Sequence, residues 1–381
     1  MTDTGANGEE GVAPAADDGT GDDISAADTG DDEAAATGSD ADGEGLTYAD
    51  AGVDIDASEA ATAALVGVVE GVAGDYAGLL DIGDRYLALA TDGVGTKLLV
   101  AEALGDYSTV GIDCIAMNVN DLAAAGVRPV AFVDYLAVDE PDEGFAEQVG
   151  QGLRAGCEAA GIELVAGETA VMPEVVTGLD LAGTCAGLAT DDDLFPGEAE
   201  GGDVLVGFPS SGIHSNGLTL ARQATTRDHE YTDPFPVDEY GRPNCSRADD
   251  DETPRIGDVL LEPTRIYTDL IDPLRAADAN AAAHVTGGGW TNLTRLGDYR
   301  YVVDDPFDAD PVFDFVQAEG SVDDAEMHRT FNMGTGFVAA LDAADADGVV
   351  KSTDGRVVGR VEAAEGERAT VEIRGLALSD S

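Results

Sequence analysis

An alternating apolar run, Tyr86-Leu-Ala-Leu-Ala-Thr91, leads straight into Asp92-Gly-Val-Gly-Thr-Lys97. Alternation of this kind reads as a buried strand, and the glycines turn the chain onto a helical run from Leu98 to Leu104. The pattern recurs. A strand starting at Asp203 to Phe208 opens into Pro209-Ser-Ser-Gly-Ile-His-Ser-Asn-Gly217 and then a helix, while His284-Val-Thr-Gly-Gly-Gly289 follows Ala279 to Ala283. A chain written this way reads as α/β or α+β, with mixed sheets flanked by helices. Its Gly-rich turns expose backbone N–H groups, the usual cradle for anions.

Charge narrows the partners. The 381 residues carry 77 acidic against 19 basic side chains, a net charge of −58, which repels nucleic acid and anionic membranes. No run reaches the ~18 apolar residues of a membrane span, and the N-terminus lacks the basic start and apolar core of a signal peptide, so a soluble cytoplasmic protein is expected. Lysine occurs only at Lys97 and Lys351. Acidic excess, scarce lysine and many small residues fit a halophilic protein, whose self-repulsion is screened by concentrated ions. Cys114, Cys157, Cys185 and Cys245 form no C-x-x-C pair and are expected to be reduced thiols.

Residues 1–45, without Lys or Arg, read as a disordered acidic tail, whether a real extension or the product of an upstream start codon. An N-terminal domain is expected over 46–195 and a C-terminal α/β domain over 196–381, the boundary lying in the Gly- and acid-rich stretch Asp191 to Gly202. Helices are expected from Ala57 to about Val72, Ser108 to Ala125, Phe145 to Ala160 with Gly161 as its stop, and Thr264 to Ala276. Strands are expected over Pro129–Val138, Glu163–Glu168, Leu179–Ala189, Phe337–Leu341, Arg356–Val361 and Ala369–Ile373, and Tyr231 to Pro254 as a surface loop.

Three carboxylates stand out from the acidic background. Asp92 and Glu168 end apolar strands, and Asp121 shares one side of an apolar helix with Asn118 and Asp113. Hard oxygen ligands near a lysine and glycine turns suit Mg²⁺ held with nucleotide phosphates, although spacing alone does not bring them together. Lys97 at a helix start opposes the helix dipole unless an anion is near. His214 and His284 lie in or beside Gly-rich turns, either as local hydrogen-bond partners or as groups for ligand contact and proton transfer. His328 reads as structural, and His229 has no motif. Neither a Walker A loop nor a G-x-G-x-x-G turn occurs.

The motifs, taken in order, resemble the phosphoribosylformylglycinamidine cyclo-ligase family: Tyr48-Ala-Asp-Ala-Gly-Val-Asp-Ile55, Thr91-Asp-Gly-Val-Gly-Thr-Lys97, Asn118-Val-Asn-Asp121, Gly167-Glu-Thr-Ala170, Ser210-Ser-Gly-Ile-His-Ser-Asn-Gly217, Glu262-Pro-Thr-Arg-Ile-Tyr267, His284-Val-Thr-Gly-Gly-Gly289 and Arg329-Thr-Phe-Asn-Met-Gly334. The resemblance implies the two-domain ATP-binding fold shared with selenophosphate synthetase, N-terminal domains pairing in a homodimer, and ATP-dependent closure of formylglycinamidine ribonucleotide to aminoimidazole ribonucleotide. It implies ATP and Mg²⁺ as cofactors, with Asp92, Asp121 and Glu168 on the metal. Lys97, His214 and His284 become the catalytic candidates. Phosphate or nucleotide contacts fall to Asp92, Gly93, Gly95, Thr96, Lys97, Asn118, Gly212, Ser215, Asn216, Gly217, Thr286, Gly287, Gly288 and Gly289. The family's usual lysine is replaced by Ala49, and its longer Gly/Phe-rich loop is reduced to Ala73–Asp84, so the nucleotide lid departs from the pattern. The competing readings are another ATP-using enzyme of the superfamily, such as a selenophosphate synthetase or small-molecule kinase, and an inactive nucleotide-binding regulator.

Overall fold

Strand and turn signals place two sheets one after the other. The computed structural model describes residues 45–53, 57, 60–62, 64, 76–249, 251–364, 366 and 368–378. The acidic tail up to residue 44 and most of the helix expected from Ala57 lie outside the described residues. The first sheet joins β1 (Gly78–Asp81), β2 (Tyr86–Gly93), β3 (Arg128–Val138), β4 (Glu163–Val171) and β5 (Leu179–Ala189) in the order β1-β2-β5-β3-β4. All its pairs are antiparallel except β3 with β4. Between these strands run α1 (Lys97–Leu104), α2 (Val110–Ala124) and α3 (Glu143–Ala160). Asp142 caps α3 by accepting from the N–H groups of Gly144 and Phe145, and Gly161 ends it in the left-handed region at φ 69°, the expected stop.

The second sheet begins with β6 (Val204–Pro209), which continues through the turn into α4 (Leu218–Thr225). It adds β7 (Ala281–His284), β8 (Tyr299–Val303), β9 (Thr335–Leu341), β10 (Arg356–Ala363), β11 (Thr370–Ile373) and β12 (Leu376–Leu378), in the order β12-β11-β8-β10-β6-β9-β7. Alternation along β6 sends Val206 and Phe208 to a core with Leu274 and Val349. Leu205 goes to the opposite core, with Trp290 and Tyr301. The strands β1, β8 and β12 and the helices Pro311–Gly320, Asp324–Thr330 and Ala343–Ser352 were not expected from sequence, whereas β7 falls on the run before the His284–Gly289 turn. Tyr231 to Pro254 is more than a loop: Phe235 is fully buried against Phe315 and Tyr240.

Two features position the site. Helix α2 is buried on nearly every side, packing on β2, β5 and α3 and touching β7 and the 3-10 turn Thr268–Leu270 of the second half. Residues 264–267, expected to be helical, run on without helix, which starts only at Ile271. The reason lies in α2. Asp113 Oδ1 accepts from the Thr264 N–H (2.8 Å) and hydroxyl (2.6 Å), and Asn120 Oδ1 from the Tyr267 N–H (2.8 Å), so these groups are satisfied from outside and no helical ladder is needed. The segment 45–53 lies against the second half, with the Tyr48 N–H donating to Glu326 and Gln223 donating to the Ala51 carbonyl.

Candidate functional site

The strand-to-helix turn after β2 presents Asp92 beside the middle of α2. Asn118 donates from Nδ2 to the Asp92 carbonyl at 3.2 Å and to the Cys114 carbonyl at 2.9 Å, while its Oδ1 is buried without a hydrogen-bond partner. Asp92 is an exposed residue whose carboxyl is nonetheless crowded by neighbouring atoms. Burial there, opposed by the Gly93 N–H and reinforced by the charge of Asp121, pushes its carboxyl up to about 6. Gly95 holds φ 68°, and Thr96 meets Thr219 hydroxyl to hydroxyl at 2.9 Å, tying the turn to α4.

Lys97 departs from the expectation of an open phosphate contact. It is fully buried, its Nζ 2.9 Å from Asp113 Oδ1 and 2.6 Å from the Glu262 carbonyl. Burial pushes the ammonium down and Asp113 opposes that shift. A cation at a helix start does need an anion, but here the anion is a carboxylate of the neighbouring helix.

The three predicted metal carboxylates are not gathered together. Register places Asp92 opposite Gly183, Gly183 opposite Asp134 and Asp134 opposite Gly167, all on the helix-covered face. Glu168 pairs with Tyr135, one residue on, so strand alternation turns it to the other face. Among the described residues no three His, Cys, Asp or Glu side chains form a metal-binding group. Asp92 and Asp121 do lie close enough for the charge of one to act on the other. Asp134, which sequence reasoning missed, shares their row, and its carboxyl is pushed up by burial. Its sequence signal is a carboxylate inside the apolar strand Arg128–Val138.

The second half supplies the other wall. His214 stands in the turn after β6 with φ 68°, buried, its Nε2 accepting the Ser211 N–H at 3.1 Å. Since that N–H can only donate, the ring proton resides on Nδ1, which has no hydrogen-bond partner. Burial holds His214 well below 6.5, with the charges of Lys97 and Arg265 acting the same way, so the ring is neutral. The buried Ser215 hydroxyl is also without a partner, and Asn216 reaches Met117 Sδ of α2 at 3.6 Å. Gly217 starts α4 at φ 74°, where a β-carbon would meet Phe331 at 2.3 Å. Tyr267 stands between the two histidine rings, 6.3 Å from each, and a β-carbon on Gly336 would strike its hydroxyl at 2.1 Å.

Buried asparagines absent from the sequence-based site hold both turns. Asn332 donates to the Gly212 and Ile213 carbonyls and accepts the Gly334 N–H. Asn292 accepts the Thr286 N–H and donates to the Gly287 carbonyl, and Thr291 bonds the Gly288 carbonyl just before the 3-10 turn from Gly289. Their signal was faint, although Asn332 does lie in the Arg329–Gly334 motif. His284, at the end of β7, places Nδ1 3.0 Å from Asp121 Oδ1 and Nε2 3.3 Å from Asn120 Nδ2. These contacts bring Asp92, Asn118 and Asp121 of the first half together with the His214–Asn216 turn and His284 of the second.

Residues 74–189 match the family model of the AIR synthase related protein N-terminal domain, and residues 200–372 that of its C-terminal domain. The phosphoribosylformylglycinamidine cyclo-ligase of Methanosarcina acetivorans is 47% identical over 290 residues, covering 76% of this chain and 83% of the relative. That of Pyrococcus furiosus is 45% identical over 280 residues, 72% and 77% of the two chains. In fold the chain is similar to thiamine monophosphate kinase from Aquifex aeolicus, with a TM-score of 0.55, 15% identity and coverage of 86% and 98%. It is likewise similar to hydrogenase maturation protein HypE in complex with ATP, with a TM-score of 0.54, 17% identity and coverage of 82% and 89%.

Proposed function

The chain belongs to the phosphoribosylformylglycinamidine cyclo-ligase family, and on that premise we propose that it closes formylglycinamidine ribonucleotide to aminoimidazole ribonucleotide, spending ATP, in purine biosynthesis. The observation that carries this reading is identity of 45% and above to enzymes of that name over more than two thirds of the chain. An amide oxygen leaves poorly. ATP therefore phosphorylates the formyl oxygen, the amidine nitrogen attacks the activated carbon, and phosphate departs as the imidazole forms.

The site is suited to this chemistry. The unpartnered Nδ1–H of His214 and the hydroxyl of Ser215 are donors held ready, and the Asn118 carbonyl oxygen an acceptor, so a polar ligand would satisfy all three. The turns Gly212–Gly217 and Gly287–Gly289 approach phosphate through backbone, with Thr286, Asn216 and the Gly93–Thr96 turn alongside. Asp92 and Asp121, close enough for one charge to act on the other, would hold Mg²⁺, which neutralises phosphate oxygens when bound. In this arrangement Lys97 serves as a strut holding Asp113 and the Glu262 carbonyl.

The domains divide near residue 195, and N-terminal domains of two copies pair. Support comes from the sheet face opposite α2, where Leu80, Leu89, Val133 and Tyr135 are 58%, 44%, 37% and 43% exposed. Glu168 lies on that same face. No helix among the described residues is long and apolar enough to cross a membrane, and we place the enzyme in the cytoplasm, in a halophile. In molar KCl, formylglycinamidine ribonucleotide with ATP and Mg²⁺ is expected to yield aminoimidazole ribonucleotide, ADP and phosphate. ADP without the imidazole would return the chain to another activity of its superfamily. Sedimentation of Tyr135→Glu tests the pairing: a wild-type dimer and a monomeric variant are expected.

A further inference from the structure

We infer that Asn120 fixes the proton of His284 on Nδ1, making His284 the group that orients Asp121 and Asn120 a positioning residue of the site. This deepens the cyclo-ligase reading, on which it rests for its place in catalysis, although the hydrogen-bond argument is independent of it.

Asn120 is fully buried in α2. An amide side chain can be turned either way, but here two backbone groups of opposite sense decide. The Tyr267 N–H can only donate, so the oxygen facing it at 2.8 Å is Oδ1; the Arg265 carbonyl can only accept, so the atom facing it at 2.8 Å is Nδ2. Nδ2 keeps a second hydrogen, and its other neighbour is His284 Nε2 at 3.3 Å. A donor facing that nitrogen requires a lone pair there. The ring proton then sits on Nδ1, 3.0 Å from Asp121 Oδ1, to which it donates. His284 is fully buried, so no water competes for either nitrogen.

Asp121 has one oxygen already fixed by an N–H donor, the arrangement that orients a carboxylate for a cation or a phosphate-bound ligand. His284 has no free nitrogen with which to exchange a substrate proton. That separates it from His214, whose Nδ1–H is unpartnered. The non-helical backbone at 265–267 thus orients a side chain of α2, which orients a ring of β7, which orients a carboxylate of α2.

With four histidines in the chain, long-range proton–nitrogen correlation spectra of the uniformly ¹⁵N-labelled full-length protein resolve each ring. Spectra are recorded without nucleotide or metal, and His284 is identified by its loss in His284→Gln. At neutral pH the His284 ring is expected to show a protonated Nδ1 and an unprotonated Nε2; a protonated Nε2 would overturn the inference. In Asn120→Asp the carboxylate can only accept, so Nε2 is expected to gain a proton. A folded Asn120→Asp variant whose Nε2 stays unprotonated would remove Asn120 from the role. The wild-type spectrum decides the tautomer unaided, so a misfolding variant leaves the test standing. Neither measurement uses turnover, so failure of the ring-closure assay and failure of this inference are separate results.

Discussion

The turn after β2 and the turns after β6 and β7 are built by opposite means. The first is pinned by a buried ion pair, Lys97 to Asp113, backed by the Glu262 carbonyl; the other two are pinned by the neutral amides of Asn332 and Asn292. A buried charge pair is held hard because either partner alone is intolerable, whereas an amide brace loses only its own hydrogen bonds. One end of the site is therefore all-or-none, and the other is graded.

The largest effect should come from Lys97→Ala. It leaves Asp113 buried and unpaired, at a cost of ~3–5 kcal/mol by denaturant unfolding. Adding Asp113→Asn to Lys97→Met should restore part of that loss, because it removes the unpaired charge and keeps an acceptor for Thr264; an unchanged melting curve for Lys97→Ala would break the contrast. Asn332→Ala should cost less, about 2 kcal/mol, because three buried backbone groups lose their partner, and its turnover should fall as the His214 turn loosens.

Salt sharpens the comparison. The wild-type melting temperature is expected to rise by several degrees from low to molar KCl, as screening relieves a net charge of −58. The deficit of Asn332→Ala should be the same in both buffers, since a neutral brace has no charge to screen. A melting temperature that did not climb with KCl would remove the halophilic reading.

The smallest effect is that of Asp92. Its folded carboxyl, raised from 3.8 to about 6, binds its proton more tightly than the unfolded chain does. In metal-free protein this group therefore favours the folded state at low pH, and that contribution is lost as pH rises from about 4 to about 6. Asp92→Asn should flatten the slope of melting temperature against pH in that window. An identical slope in both proteins would place Asp92 in ordinary solvent.

These contrasts show what the sequence made legible. The Asp92–Lys97 turn, the stop at Gly161 and the strand Leu179–Ala189 rest on local chemistry and are found where local chemistry put them. Lys97 was expected to face phosphate; that it is buried against Asp113 of another helix and the Glu262 carbonyl of the other half could not be read locally. Glu168 was grouped with Asp92 because both end strands; only cross-strand register shows them on opposite faces. Asn120, Asn292 and Asn332 were passed over because an asparagine near a turn is ordinary in sequence, and only packing reveals which backbone groups it completes.

The unwound stretch from Glu262 to Tyr267 has a consequence for biosynthesis. Its Thr264 and Tyr267 N–H groups are satisfied by α2, which leaves the ribosome well over a hundred residues earlier, so the later segment meets a receptor already made. A fragment starting near residue 196 would carry that stretch with nothing to receive it. The halves are thus expected to melt in one cooperative transition, the later one finishing its fold on the surface of the earlier.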